Sequence, residues 1–185
     1  MRITDPRAMR ALAHPLRLDL IEALTVLGPA TAAVCARHLG STQALCSFHL
    51  RQLAKYGFVE QASDSGDKRE RPWRLTDIEQ SWGSDESAEH LDRVFLQREA
   101  DKMLRWVDRS KDESPAWREA AFAGGATLPV TAEELTEIAK QLRAVLEPYI
   151  ARLTGHAARP AAARPVRIML AGTPQFAGTP EKEDR

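Results

Sequence analysis

AVCARHLG at residues 33–40 and STQALCSFHLRQLAKYGFVE at residues 41–60 decide how the chain is read. The pair reads as two helices joined by a tight turn and followed at once by a strand. Val34, Cys35 and Leu39 give the first helix an apolar face. Gly40 supplies the backbone freedom that a sharp helix–helix turn needs. Thr42 is a good N-cap for the second helix, along which Cys46, Leu50 and Leu53 recur at helical spacing with His49 and Tyr56 alongside. The opposite face carries Gln43, Ala44, Ser47, Phe48, Arg51 and Lys55, and Gly57 ends the helix as a left-handed cap. One apolar side, a short polar leading end and trailing cations suit the DNA major groove. The rival for these side chains is the plain solvent face of a core helix. Gln and Arg, however, can each bond two atoms of a base edge at once.

Two flanking motifs extend the pattern. LAHPLRLDLIEAL (12–24) holds a Pro-x-Arg element at Pro15 and Arg17, and SFHLRQLAKYGFVE (47–60) holds a Ser-x-His-Leu element running into the strand. In this order and spacing the chain resembles the winged helix-turn-helix transcription regulators of the ArsR/SmtB type, over about residues 5 to 76. The resemblance implies DNA binding through a recognition helix at 42–56 and a wing at 63–72. It does not extend to metal sensing, because the paired Cys-x-Cys, Asp-x-His and His-x-x-Glu of metal-sensing members are missing. Cys35-x-x-His38 and Cys46-x-x-His49 have ligand-like spacing. Both cysteines nevertheless sit at apolar positions, where a small buried thiol is common. No metal or other cofactor is expected.

The wing itself is legible as a hairpin. Phe58 to Ala62 reads as one strand, Ser63 to Arg69 as a polar turn, and Glu70 to Leu75 as the return strand with Trp73 and Leu75 on one face. Lys68, Arg69 and Arg71 form its cationic tip, suited to the DNA backbone or minor groove. Upstream, Asp5 and Pro6 open a helix to about Ala13, and Pro15 opens the next, striped by Leu16, Leu20, Ile21 and Leu24. Arg17 either reaches a phosphate or pairs with Asp19 or Glu22. His49 is a packed residue, and nothing around it makes a catalytic arrangement.

Charge supports a division of labour. Residues 1–76 hold 11 Lys and Arg against 7 Asp and Glu, whereas the remainder holds 15 against 19. A basic module followed by an acidic one suits nucleic-acid binding joined to dimerisation or control. The chain lacks an apolar run of ~18 residues and an N-terminal apolar core, so a soluble cytoplasmic protein is expected.

Residues 80–86 read as a linker, and 86–110 as a charged helix taken as the dimer helix; the rival is a helix folded back over its own N-terminal domain. Residues 117–130 read as irregular to extended. Thr131 to Glu134 forms a capping box that opens an amphipathic helix through Leu135, Ile138, Leu142, Val145, Leu146, Tyr149, Ile150 and Leu153, kinked at Pro148 and ended by Gly155. Val166 to Leu170 reads as a strand pairing with Ala126 to Val130. A disordered tail is expected from 173 to 185.

The fold expected is mainly α with a small β-hairpin wing (α+β): a winged helix-turn-helix domain at 1–80, a dimerisation and effector region at 84–172, then the tail. The function expected is a dimeric repressor of double-stranded DNA with a palindromic operator, and with a small-molecule effector motivated by the size of the second region. The alternative is a protein-interaction module anchored by Phe48 that does not bind DNA. A methyltransferase is disfavoured because the remaining chain is too short for a Rossmann domain and carries no glycine fingerprint.

Overall fold

The computed structural model describes residues 1–62, 71–83 and 86–175, without the side chains of 86 and 87. The chain divides into two compact units, residues 1–121 and 122–185.

In the first unit each of the first four helices begins where a side chain takes an orphan backbone N–H. Strand β1 (Arg2–Ile3) leads into α1 (Pro6–Leu12), capped by Asp5, whose carboxylate accepts the Arg7 N–H at 2.8 Å. Helix α2 (Pro15–Leu27) starts at His14, whose Nδ1 accepts from the Leu16 N–H at 3.2 Å. Thr31 caps α3 (Ala32–Leu39) and Thr42 caps α4 (Gln43–Lys55). Strands β2 (Val59–Gln61) and β3 (Trp73–Leu75) pair antiparallel, with Val59 opposite Leu75 and Gln61 opposite Trp73. They are shorter than the strands expected at 58–62 and 70–75.

Strand β4 (Ser81–Trp82) falls within the expected linker. It pairs in parallel with β1, Arg2 against Ser81 and Ile3 against Trp82. The Trp82 indole N–H donates to Asp92 at 2.7 Å, so the segment is anchored at both ends. Helix α5 (Glu86–Arg109) follows, then a 3-10 turn (Ser110–Asp112) and α6 (Pro115–Ala120). Residues 117–120, expected to be irregular, are therefore helical, because Ser114-Pro115 is a good helix start.

The core of this unit gathers Met9, Leu12, Leu20, Cys35, Cys46, Leu50, Leu53, Phe58 and Val59, and it also takes Ala88 and Leu91 from α5. The first half of α5 is thus folded over its own helical bundle, and the boundary of packing falls after Ala121 rather than at residues 80–84. Farther along, Leu96, Met103, Leu104 and Val107 are exposed. Each fully buried Leu or Phe contributes ~1.5–3 kcal/mol relative to exposure, so the core sets the stability of the unit.

A buried ion cluster ties α5 to α2. Arg98, 6% exposed, donates to Asp19 at 2.8 Å, to Glu22, and to Glu99, itself 1% exposed, at 2.6 Å. Lys102 also reaches Glu22. Burial opposes the ionised form of Glu22, but hydrogen bonds from Lys102 and Arg98 outweigh it and hold the carboxyl below its ordinary value.

The second unit is built on α7 (Ala132–Ile150). Its capping box is formed: the Glu134 N–H donates to the Thr131 hydroxyl at 3.2 Å, and the Thr131 N–H donates to the Glu134 carboxylate at 2.7 Å. The helix stops at Ile150 rather than at Gly155. Pro148 has no N–H to give, and the next turns tighten, with Arg152 N–H bonded to the Tyr149 carbonyl and Leu153 N–H to that of Ile150.

The chain then returns past the start of α7. A Cβ built on Gly172 would lie 3.2 Å from Leu135 Cδ1. The strand pair expected at 126–130 and 166–170 does not form, and neither segment carries strand structure. Pro129 and Pro165 remove donors and Gly124-Gly125 weakens extended pairing, so little remains to build a ladder. No described residue from 122 to 175 is buried. Of the expected tail, residues 176–185 lie outside the described residues. Among the described residues no helix is long and apolar enough to cross a membrane.

Candidate nucleic-acid interface

Helix α4 is held outward by a short, well-bonded turn. Gly40 adopts φ +63°, a left-handed conformation that costs other residues strain, and the Ser41 N–H closes the end of α3 on the Ala36 carbonyl at 2.9 Å. The Thr42 hydroxyl then accepts the Leu45 N–H at 3.2 Å and starts α4. Gly57, at φ +75°, lets the chain leave for the hairpin.

The two faces of α4 separate as their chemistry requires. Cys46, His49, Leu50 and Leu53 are buried, whereas Thr42, Gln43, Ala44, Phe48, Arg51 and Lys55 are exposed. Ser47 is half-buried, and its hydroxyl accepts a hydrogen bond from the Arg51 guanidinium at 2.9 Å. Lys55 lies over the Tyr56 ring at 5.7 Å. The leading end is more apolar than a wheel suggests, because Leu45 is exposed beside Phe48, which is 47% exposed. Leu45 was the residue to add: it stands three before Phe48 and on its side of the helix.

Beneath α4 lies a cluster that local sequence reading did not find. The Arg17 Nε–H donates to His49 Nδ1 at 3.2 Å, and its Nη1 donates to the Ala11 carbonyl. His14 stacks at a tilt on His49, ring centres 4.4 Å apart, and the Phe48 ring meets His49 edge-on at 5.2 Å. Burial, then His14 and the Arg17 charge, push His49 below its ordinary range; burial and Arg17 do the same to His14. Arg17 therefore does not pair with Asp19 or Glu22: it engages His49, while those carboxylates are held by Arg98 and Lys102. The tie joins the start of α2 to the middle of α4 and fixes how α4 sits.

The hairpin is rooted on two sides. Ala30 and Trp73 exchange backbone hydrogen bonds at 2.8 and 2.9 Å, so the loop before α3 adds a bridge to β3. Thr76 closes the base, its hydroxyl donating to the Gly57 carbonyl at 2.6 Å. Arg74 pairs with Glu60 across the strands at 2.9 Å, so that cation is already engaged. Of the expected wing cations, Arg71 is exposed two residues before β3, and Lys68 and Arg69 lie outside the described residues.

Cys35 and Cys46 are both buried, and burial pushes the Cys35 thiol up to about 11, which keeps it protonated at neutral pH. A thiol so disposed is a core residue rather than a nucleophile or ligand. Among the described residues no cluster of three or more His, Cys, Asp or Glu has metal-binding geometry.

Residues 12–62 match the family described as a helix-turn-helix domain, a span well under half of the chain. No curated protein matches the sequence. Among solved structures, the chain is similar to the PcaV transcriptional regulator from Streptomyces coelicolor in complex with its natural ligand, with 16% identity, coverage of 72% of this chain and 74% of that one, and a TM-score of 0.33. A MarR family protein of Mycobacterium tuberculosis in complex with salicylic acid is 18% identical over 76% of this chain and 85% of that one, at a TM-score of 0.31. A cysteine-to-serine mutant of Lactococcus lactis ZitR is 18% identical over 71% and 74%, also at 0.31.

Proposed function

We propose that the protein is a cytoplasmic DNA-binding transcription regulator of the ArsR/SmtB winged-helix type, acting as a homodimeric repressor without catalytic activity. One observation carries this reading: α4 buries Cys46, His49, Leu50 and Leu53 and exposes Gln43, Ala44, Phe48, Arg51 and Lys55 on its other side. Gln43 and Ser47 would read base edges, with Thr42 and Ala44 allowing close approach. Arg51, Lys55, Lys68, Arg69 and Arg71 would neutralise phosphates. In a dimer two such helices enter successive major grooves of a palindromic operator. The exposed apolar residues of α5, from Leu96 to Val107, support its role as a dimer helix. A small-molecule effector bound by the region 84–172 belongs to the same proposal, and titrating small molecules against operator binding tests it.

Selection of bound sequences from a random DNA pool, followed by fluorescence anisotropy from 50 to 200 mM salt, tests the whole reading. Recovery of a palindrome whose affinity falls about a thousandfold over that range, as expected for six or more phosphate contacts, supports it. Absence of salt-dependent binding overturns it.

A further inference from the structure

The two histidine rings beneath α4 use the same atom for the same task. His14 Nδ1 accepts the Leu16 N–H at 3.2 Å, and His49 Nδ1 accepts the Arg17 Nε–H at 3.2 Å. Neither donor can act as an acceptor, so both rings are neutral and carry their proton on Nε2. A second proton has only Nδ1 to go to. On His14 it would undo the cap of α2, and on His49 it would undo the bond that ties α4 to α2.

The surroundings give such a proton nothing to pair with. His49, 5% exposed, faces two groups of α2: the Arg17 guanidinium and the His14 ring, 4.4 Å away between centres. Arg17 is fixed at its other end by the Ala11 carbonyl of α1, and Tyr56, at the end of α4, acts on Arg17. Among the described residues no charge from α1, α3 or the hairpin acts on His49. The carboxylates of α2, Asp19 and Glu22, are held by Arg98 and Lys102. An imidazolium at His49 would therefore stand against the Arg17 cation in a nearly dry site. It would also disturb the support of Phe48, whose half-exposed ring meets His49 edge-on at 5.2 Å.

We propose that His14 and His49 form a latch on α4 that acid opens, loosening the helix and lowering its affinity for DNA. Burial and the Arg17 charge hold both rings below their ordinary range, so the latch is shut at neutral pH. In acid the protonated rings reach water by local opening, and α4 parts from Arg17. The direction is the reverse of that for a histidine on the DNA surface, whose added charge would strengthen binding to phosphates. The DNA half of this inference rests on the regulator reading above; the loosening of α4 does not.

Two measurements on the full-length chain at pH 7.5 and 5.0 test it. One is hydrogen exchange of the α4 amides relative to those of α5, corrected for the intrinsic effect of pH. The other is fluorescence anisotropy with the selected DNA at constant ionic strength. In acid the wild type should lose about tenfold in α4 protection and about tenfold in affinity, the effect of one proton over one pH unit. His14→Asn combined with His49→Asn keeps an acceptor near each Nδ1 position, cannot titrate, and should show neither loss. The other three histidines remain in that variant, so a fall that persists there overturns the latch. Ring-nitrogen NMR of the wild type needs no variant: a proton on Nδ1 of either ring at pH 7.5 also overturns it. Constant α4 protection, or a fall shared equally by α5, overturns the latch whatever the DNA does. Falling protection with constant or rising affinity overturns its effect on DNA. Absence of salt-dependent binding at pH 7.5 overturns the regulator reading, and α4 protection alone then decides the latch.

Discussion

The first unit has an interior and the second does not. From Met1 to Ala121, apolar side chains from the first five helices and from the hairpin converge on Phe58 and Leu50, both wholly buried. From Phe122 onward the chain has a well-capped helix of 19 residues, yet no described side chain is buried. Both regions have good local signals, so helix-forming sequence alone does not make a core. What separates them is convergence: several amphipathic elements facing one another in the first, and a single one in the second.

That contrast can be broken by mutation, beginning with the buried ions. Arg98→Ala leaves Asp19, Glu22 and Glu99 without their shared cation, and should destabilise the first unit by about 3–5 kcal/mol in urea denaturation followed by tryptophan fluorescence. Glu137→Ala, at an exposed pair in the second unit, should leave the transition unmoved. Next, Leu50→Ala should cost about 2–5 kcal/mol through its cavity, whereas Leu142→Ala should leave that same transition in place. Equal losses from the two leucines would mean that the units unfold together.

A smaller effect sharpens the comparison. Thr42→Ala removes the cap of α4 and should cost ~1 kcal/mol of stability. It should also weaken DNA binding by more than Thr131→Ala, which removes the matching cap of α7.

Acid gives the smallest effect at mild pH. His14 and His49 are held below the ordinary 6.5, so below that value the unfolded chain takes up protons more readily than the folded one. Stability should therefore fall as pH drops through 6.5 towards the lowered folded values. Glu22, held below 4.5, adds a second loss that begins below that pH and is complete once its folded value is passed. A urea midpoint that stayed constant from pH 7.5 to 5.5 would rule out the histidine part.

Legibility followed the range of the interaction. Asp5, Thr42, Gly40, Gly57 and the Thr131–Glu134 box act within four residues, and the structure has all of them where local rules put them. The faces of α4 were legible because burial repeats with the helical period. Arg17 could not be assigned, because its partner His49 is 32 residues away, and Arg98 reaches carboxylates 76 and 79 residues distant. Nor could a two-residue strand such as Ser81–Trp82 be seen, since it exists only through pairing with Arg2–Ile3. Proline and glycine carried the warning against strands at 126–130 and 166–170, and apolar residue counts masked it.

The bridge between Ala30 and Trp73 has a mechanical corollary. Since the loop feeding α3 is sewn to the hairpin root, and Thr76 clips that root to the end of α4, helix and hairpin root travel as one piece. If α4 enters a groove as proposed, its distance to that root is a fixed ruler. A duplex whose groove width mismatched the ruler would have to bend to fit, so its own flexibility would become a criterion of choice, even at base pairs that no side chain touches.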